Sequence, residues 1–209
     1  MCGNGNFADL AIFSFHPVKH IATGEGGMIT TNDEALYKKL LILRTHGITK
    51  DPDLLFENHG GWYYEMQMLG YNYRLSDLQA ALGLSQLKRA DSGLMKRREI
   101  ARRYNEAFEN SKIKIQDPLL AAGHAYHLYV IQTEDRLGLY NYLKENKIFA
   151  QVHYIPVHLL PFYKQLGWKK RNFVVAEKYY ERCLSLPMYP TLTEKEQEFV
   201  ISKVFEFST

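Results

Sequence analysis

Short apolar segments and longer amphipathic segments alternate through the second half of the sequence, and this order limits the fold most. The segments are, in order, a strand-like run at 124–132, a helical pattern at 136–147, a strand-like run at 148–155 and a helical pattern at 172–185. A final helix is predicted to begin after Thr193, because Thr193 and Glu196 have the residue types and the spacing of a capping box. Strands that alternate with helices predict a small α/β unit.

The first 50 residues predict two strands and a helix. Residues 7–15 carry seven apolar residues and one acid, which predicts a buried strand. The sequence GMITT at 27–31 predicts a second, short strand. Asp33 is suited to the start of a helix and Gly47 to its end, and the leucines between them fall near helical spacing. A lysine, Lys19, and a cluster of glycines lie between the two predicted strands.

Another helix and a domain boundary are predicted near the middle of the chain. Ser76 and Gln79 form a capping box, in which each side chain satisfies a backbone donor of the other residue. Gly93 weakens the helical pattern that follows, and a separate helix is predicted beyond it. We therefore predict one domain over residues 1–92 and a second over residues 93–209.

Composition argues against several classes of partner. The 209 residues carry a formal net charge of +3, which is too small to indicate a nucleic acid or an anionic membrane as a partner. Seven basic residues lie between positions 88 and 104, but aromatic residues do not interleave with them, so a solvated helix face is predicted. Apolar runs fall short of the roughly 20 residues of a membrane helix, and the N-terminus lacks the features of a signal peptide. We expect a soluble, cytoplasmic protein.

The cysteines and histidines do not predict a metal site. Cys2 and Cys183 are too few for a disulfide framework and do not have metal-binding spacing with a histidine pair. His153 and His158 lack a third ligand at a suitable spacing. A reducing cytoplasm is the simplest setting for the two thiols.

Lys19 is the first candidate for chemistry. Most lysines are solvated surface charges, but this one follows a predicted strand and precedes glycines that let the backbone approach a ligand closely. Pro17 restricts the turn, and Ser14 and His16 place a hydroxyl and an imidazole nearby. An amine that forms a Schiff base must be partly desolvated or lie near another positive charge. The residues alone leave two interpretations open, a surface charge and a Schiff-base lysine.

Two further motifs also have two interpretations. The sequence TGEGG at 23–27 fits a tight hairpin better than a phosphate-binding loop, because it matches no nucleotide motif and leads into a strand. On a strand, QVHY would place Gln151 and His153 on one face and Val152 and Tyr154 on the other. This segment fits either an edge strand with satisfied polar groups or a polar wall that recognises a hydroxyl-rich ligand.

Five motifs extend over nearly the whole chain: FSFHPVK, GEGGMITTND, LRTHGI, GYNYRLSDLQAALGLSQL and VHYIPVHLLPFY. Together they resemble the DegT/DnrJ/EryC1/StrS family, the aminotransferases that use pyridoxal phosphate (PLP) to load an amino group onto keto-sugar nucleotides. The resemblance implies the α/β fold of PLP-dependent transferases of fold type I, as in aspartate aminotransferase. Residues 1–92 would be the C-terminal part of an incomplete PLP-binding large domain, and 93–209 the small C-terminal α/β domain.

The resemblance also implies the residues that bind the cofactor. Lys19 stands at the position of the lysine that forms a Schiff base with PLP and then moves a proton between substrate and cofactor. Ser14 matches a serine that hydrogen-bonds the cofactor phosphate. Asn72 matches a residue that reaches this phosphate from the other subunit of a homodimer, and Arg74 lies close enough in sequence to assist. Family members that dehydrate sugars carry histidine in place of the lysine, so Lys19 argues against that activity.

The substrate is implied by the same resemblance. Gln151, Val152, His153 and Tyr154 match a segment that contacts the sugar nucleotide. Glutamate would give its amine to the cofactor, which would then pass it to C4 of a 4-keto-6-deoxy sugar nucleotide. The motifs SFHPVK, QVHYIPVH and SLPMYP most resemble members of bacterial pseudaminic acid biosynthesis, which act on a UDP-linked sugar. A GDP-linked or dTDP-linked 4-keto sugar is the alternative substrate.

The position of the lysine departs from the family pattern. Only 18 residues precede Lys19, whereas full-length members carry roughly half of their chain before it. We therefore expect the C-terminal portion of an aminotransferase that has little or no activity alone. The alternative to an enzyme is a non-catalytic remnant or an assembly module of such an enzyme.

Overall fold

A computed structural model describes residues 3–117 and 123–208 of the chain. The chain divides into two compact units, Met1–Ala90 and Asp91–Thr209. The assignment of residues 1–92 and 93–209 to a large and a small domain stays a prediction. None of the helices within the described ranges is long and apolar enough to cross a membrane.

The first unit consists of short strands and two helices. Its elements are β1 (Ala11–Ser14), β2 (Gly27–Thr30), α1 (Glu34–Leu43), β3 (Ile48–Thr49), a 3₁₀ turn (Pro52–Leu54), β4 (Glu65–Met66) and α2 (Asp77–Leu87). Strands β1 and β2 form an antiparallel pair in which Ala11 faces Thr30 and Ser14 faces Gly27. Strands β3 and β4 form a second antiparallel pair. The residues between β1 and β2 include Lys19.

The second unit packs four longer helices and a two-stranded sheet. Its elements are α3 (Ala90–Phe108), β5 (Tyr129–Gln132), α4 (Arg136–Glu145), a 3₁₀ turn (Val157–Leu159), α5 (Pro161–Gln165), α6 (Val174–Arg182), β6 (Cys183–Leu186) and α7 (Glu194–Ser208). Helix α3 begins at the boundary between the units. Strands β5 and β6 are antiparallel, with Tyr129 opposite Leu186 and Gln132 opposite Cys183.

The hydrophobic core lies in the second unit. It contains buried residues of α3, α4 and α7 and of both strands: Ile100, Ala101, Tyr104, Phe108, Tyr129, Ile131, Leu139, Leu143, Leu184, Leu186, Val200 and Val204. Tyr104 stacks on Tyr129 with ring centroids 4.7 Å apart. Because apolar faces of helices and strands meet here, this unit has the packing expected of a small α/β domain.

The first unit buries little apolar surface. Among residues 3–90, none of the hydrophobic side chains is buried, and the buried positions are Thr23, Gly47 and Thr49. The prediction of a buried strand over 7–15 is wrong for this chain. The strand covers only Ala11–Ser14, and Phe7 and Ile12 are 94% and 79% exposed. A two-stranded sheet leaves both of its faces uncovered unless other elements pack on them.

Both predicted capping boxes are present. The Ser76 hydroxyl accepts a hydrogen bond from the backbone N–H of Gln79 at the start of α2, and Oε1 of Gln79 accepts one from the backbone N–H of Ser76. Thr193 and Glu196 make the same reciprocal pair at the start of α7. These predictions succeeded because a capping box depends only on residues three positions apart.

Three local predictions are wrong. Gly93 does not interrupt a helix but lies inside α3, because the cost of one glycine, about 1 kcal/mol, is small beside the burial of five residues of α3. The segment 148–155 is not a strand, since only Gln151 makes a bridge, to Ser185. The helix predicted over 172–185 ends at Arg182, and Cys183 begins β6 because it pairs with β5.

Candidate active site

Lys19 lies in a loop that backbone hydrogen bonds close. The N–H of Lys19 donates to the carbonyl of His16 at 2.9 Å, which forms a turn. The N–H of Phe15 donates to Gly26 at 2.8 Å, and the N–H of Thr23 donates to Phe15 at 3.0 Å. We call residues 16–25 the lysine loop. Its base is therefore fixed against the end of β1.

The glycines at the end of the lysine loop allow close backbone packing. Gly24 has a φ of +81°, a conformation that side chains rarely adopt. A Cβ added at Gly26 would collide with the hydroxyl of Thr23, which is buried and donates to the carbonyl of Glu25 at 2.7 Å. The loop leads into β2. The sequence TGEGG thus closes an antiparallel hairpin, as favoured from the sequence, but the hairpin is not tight, because the connection runs from Phe15 to Gly26.

Lys19 differs from the other lysines in its surroundings. Among the lysines in the described ranges, only Lys19 and Lys203 are half-buried, and the rest are exposed. Lys203 forms an ion pair with Glu206 at 2.6 Å, which raises the pKa of Lys203 above its ordinary value. The amine of Lys19 has no hydrogen bond or ion pair with any residue of 3–117 or 123–208. It is a half-buried amine that remains open to a ligand.

Three further candidate residues have side-chain polar groups that are not hydrogen-bonded to the described residues: Ser14, Asn72 and Arg74. Ser14 ends β1, at the base of the lysine loop. Asn72 pairs with Thr45 in a single bridge beyond the end of α1, and Arg74 follows two residues later. All three residues are exposed, and their side chains form no hydrogen bond or ion pair within the described part of the chain. Ser14 and Lys19 thus belong to one hairpin, and Asn72 and Arg74 to the segment before α2.

The segment with Asn72 is anchored to the end of α1. The backbone N–H of Tyr71 donates to the carbonyl of Leu43 at 2.7 Å, and the backbone N–H of Tyr73 donates to the carbonyl of Arg44 at 2.9 Å. The rings of Tyr71 and Tyr73 stack with centroids 4.9 Å apart. Backbone pairing thus places Asn72 between two fixed neighbours.

The four residues predicted to bind substrate lie in the second unit and do not share one face. Gln151 exchanges backbone hydrogen bonds with Ser185 at 3.1 and 2.7 Å, and its side chain is exposed. Val152 packs against the hydrophobic core. The ring of His153 lies 2.8 Å from the hydroxyl of Ser185, and Tyr154 is 74% exposed. The expected alternation of two faces is therefore wrong, because the segment leaves the sheet after one bridge.

Tyr154 borders an open apolar groove. The groove has a volume of ≈ 750 Å³ and is formed mainly by Tyr154, Pro156 and residues 172–176, 179 and 180. Arg136 lies over the ring of Tyr180, 5.1 Å from its centroid. The lining offers aromatic and aliphatic surface and few polar groups.

Sequence reasoning missed the tertiary role of Gln79. Its Nε2 donates to the carbonyl of Glu25, in the lysine loop, at 2.8 Å. The capping box signalled Gln79, but only as a local feature of the α2 start. A contact between residues 54 positions apart has no signal in the spacing of a helix cap.

The donor groups of the first unit fit PLP. The cofactor needs an amine for its aldehyde and hydrogen-bond donors for its phosphate. Lys19 offers the amine, and Ser14, Asn72 and Arg74 offer a hydroxyl, an amide and a guanidinium that the described residues do not occupy. A group of three or more residues suited to a metal ion is absent from the described ranges.

A scan of protein families matches residues 3–205 to the DegT/DnrJ/EryC1/StrS aminotransferase family. The chain therefore belongs to this family. It is 43% identical, over 171 residues, to the UDP-4-amino-4,6-dideoxy-N-acetyl-beta-L-altrosamine transaminase of Campylobacter jejuni, and the match covers 78% of this chain and 43% of that protein.

Solved structures agree on the fold. The aminotransferase PseC of Helicobacter pylori, involved in pseudaminic acid biosynthesis, has a TM-score of 0.88 and 33% identity, and the match covers 98% of this chain and 54% of that one. The PLP form of Spr1654 from Streptococcus pneumoniae has a TM-score of 0.87 and 32% identity, with 98% and 53% covered. The expected fold is confirmed: the chain is mixed α/β and matches solved aminotransferases that have the fold of PLP-dependent transferases of fold type I. It spans about half the length of the relatives it matches.

Proposed function

We propose that this chain carries the lysine and the substrate-recognition segment of a PLP-dependent aminotransferase that acts on a 4-keto-6-deoxy sugar nucleotide. The observation that carries the proposal is the amine of Lys19, which is half-buried and unpaired within the described residues. The motif around Lys19 supports its assignment as the family's lysine. When bound, PLP supplies an electron-withdrawing ring that lowers the barrier to moving a proton on the carbon that bears the amine.

Lys19 has two tasks in this proposal. Its amine would hold the aldehyde end of the cofactor, and the free amine would hold and move a proton at Nζ. Ser14 donates its hydroxyl to the cofactor phosphate, and Arg74 adds a positive charge. Asn72 donates its side-chain amide to the phosphate of the other subunit in a homodimer.

The sugar nucleotide is assigned to the segment Gln151–Tyr154. Gln151 and His153 can hydrogen-bond sugar hydroxyls, and Tyr154 offers an exposed ring against which a sugar or a base can pack. Val152 anchors the segment in the hydrophobic core. We propose glutamate as the amino donor and a UDP-linked sugar of pseudaminic acid biosynthesis as the acceptor, supported by the likeness to the Campylobacter transaminase.

The proposed setting is the cytoplasm. The thiol of Cys183 is free and buried, which suits a reducing compartment. Neither nucleic acid nor a membrane takes part in the proposed reaction.

Covalent trapping tests the lysine. The chain is mixed with PLP and reduced with borohydride, and its peptides are mapped by mass spectrometry. A pyridoxyl group is expected on Lys19, and Lys19→Arg is expected to remove it. Lys203→Arg is the matched control, because Lys203 is the other half-buried lysine. A label spread evenly over exposed lysines, or retained at full yield in Lys19→Arg, would refute the role of Lys19.

Activity tests the substrate. Residues 3–209 are fused behind the N-terminal half of the Campylobacter transaminase, and the chimera is given glutamate with UDP-, GDP- or dTDP-linked 4-keto sugars. Amination of the UDP-linked sugar at the highest kcat/KM is expected. Preference for another nucleotide would move the proposal to that sugar. Inactivity on all three, in a chimera that folds and traps PLP, would favour the non-catalytic remnant or assembly module.

A further inference from the structure

The side chain of Gln79 joins the start of α2 to the lysine loop. Its Oε1 accepts hydrogen bonds from the backbone N–H and from the hydroxyl of Ser76, both at 3.0 Å. Its Nε2 donates to the carbonyl of Glu25 at 2.8 Å. One amide thus uses its acceptor for the helix cap and its donor for the loop.

The carbonyl of Glu25 accepts two side-chain hydrogen bonds. The buried hydroxyl of Thr23 donates to it at 2.7 Å, so that its two lone pairs are taken by Thr23 and Gln79. The N–H of Thr23 in turn closes the base of the lysine loop on Phe15. A shift of the Glu25 carbonyl would therefore be transmitted to the base of the loop that carries Lys19.

Helix α2 packs on the same part of the loop. Gln79 and Gly83 are four residues apart and lie on one face of α2, and Leu75 directly precedes the N-cap residue Ser76. A Cβ added at Gly83 would come within 2.9 Å of the Thr23 side chain, and one added at Gly26 within 3.1 Å of Leu75. Close packing on both sides of Gln79 shows that its hydrogen bond belongs to an extended contact.

We propose that Gln79 is a positioning residue, which acts on Lys19 by fixing the lysine loop to α2. This inference rests on the proposed role of Lys19. A capping box alone accepts either glutamate or glutamine. Only glutamine has the N–H that the Glu25 carbonyl requires, because an ionised carboxylate is an acceptor and cannot donate.

Two variants separate the two uses of the Gln79 side chain. Gln79→Glu keeps an acceptor for the Ser76 backbone and hydroxyl and removes the donor to Glu25. Ser76→Ala removes the hydroxyl that caps the helix and leaves the donor to Glu25 in place. Both variants change the cap region, and only the first breaks the link to the lysine loop.

Hydrogen exchange and PLP trapping are measured on the 209-residue chain. In Gln79→Glu, the Phe15 and Thr23 amides are expected to exchange about three- to tenfold faster, the loss expected for one hydrogen bond. The yield of the borohydride-trapped pyridoxyl group on Lys19 is expected to fall severalfold. In Ser76→Ala, both readouts are expected to change less than in Gln79→Glu, because the Nε2 donor of Gln79 and the carbonyl of Glu25 are both kept.

The outcomes distinguish the inference from the proposed function. Selective effects of Gln79→Glu on exchange and trapping support the positioning role. Equal effects of both variants, or none, overturn it. Wild-type protein that is not labelled at Lys19 refutes the role of Lys19 and with it the positioning role, while the exchange data still decide whether Gln79 holds the loop.

Discussion

Nε2 of His158 lies 2.8 Å from Oε1 of Glu177, and both side chains are buried. The N–H of Arg171 donates to the same carboxylate oxygen at 2.7 Å, and the ring of Phe173 packs on His158 with centroids 4.9 Å apart. The pair thus ties the 3₁₀ turn at Val157–Leu159 to helix α6 within the second unit. The intervening residues, including α5, form a loop held at both ends.

The stability of this loop should depend on acid pH. The hydrogen bond from His158 holds the pKa of Glu177 below its ordinary value of 4.5, and the N–H of Arg171 acts in the same direction. A carboxylate with a lowered folded-state pKa stabilises the fold above its unfolded pKa, and this stabilisation is lost as the pH falls through the folded value. We expect Glu177→Gln to have a weaker acid dependence below about pH 5 than wild type.

Urea unfolding at pH 7 and at several lower values measures this difference. Glu181→Gln is the matched control, since Glu181 is exposed on the same helix. The wild type and Glu181→Gln should lose stability in parallel as the solution is acidified. If Glu177→Gln follows the same curve as these two, the His158–Glu177 contact does not form in solution.

Arg97 should be essential for the second unit. It is buried, and its Nη1 donates to the carbonyls of Tyr126, His127 and Met188 at 3.0–3.2 Å. Burial lowers the pKa of Arg97 from its ordinary value, but a guanidinium stays charged at neutral pH. Arg97→Met leaves buried acceptors without donors, so we expect a loss of about 2–4 kcal/mol in the free energy of unfolding.

The neighbouring arginine provides the control for this change. Arg98 is exposed and donates to one carbonyl, that of His124. We expect Arg98→Met to cost less than about 1 kcal/mol, as for other surface substitutions. Denaturant titrations measure the free energy of unfolding of both variants. Equal losses would show that the hydrogen bonds from Arg97 to the three carbonyls do not stabilise the fold.

Local features of the fold could be predicted from the sequence, and pairings between distant residues could not. The capping boxes at Ser76 and Thr193 were found because their partners are three residues away. Strand β6 was missed because Cys183–Leu186 continue the pattern of α6 and become a strand only by pairing with β5. The strand predicted over 148–155 was wrong for the same reason. Its pattern is strand-like, but only Gln151 pairs with another residue, Ser185.

In the candidate site, too, local features could be predicted from the sequence and contacts between distant residues could not. Ser14 and Lys19 are five residues apart, so their motif already placed them on one hairpin. Gln79 was identified as a cap, but its bond to Glu25 depends on how α2 packs against the lysine loop. The surroundings of Lys19, half-buried and unpaired among the described residues, also required the structure. A motif predicts residue types and spacing, and the three-dimensional contacts decide which groups remain available.

Ser185 should position His153 for the sugar nucleotide. The Ser185 hydroxyl is buried and lies 2.8 Å from the His153 ring. Removing a hydrogen bond of about 1 kcal/mol corresponds to about a fivefold weaker interaction. In the chimera described above, we expect Ser185→Ala to raise the KM for the sugar nucleotide about fivefold with little change in kcat. Ser202→Ala, on the exposed side of α7, should change neither constant.

Gly83 and Gly93 should respond in opposite ways to alanine, although both lie inside helices. Alanine in place of a helical glycine gains about 1 kcal/mol when space permits. At Gly93 the new Cβ would lie 3.7 Å from Pro190, an ordinary contact, so Gly93→Ala should stabilise the chain. At Gly83 it would lie 2.9 Å from Cγ2 of Thr23, whose buried, β-branched side chain has little freedom to move. Gly83→Ala should therefore not gain this stability, and the Thr23 amide should exchange faster. Urea titrations measure the stability of both variants. Equal stabilisation by both alanines would contradict the contact between α2 and the lysine loop.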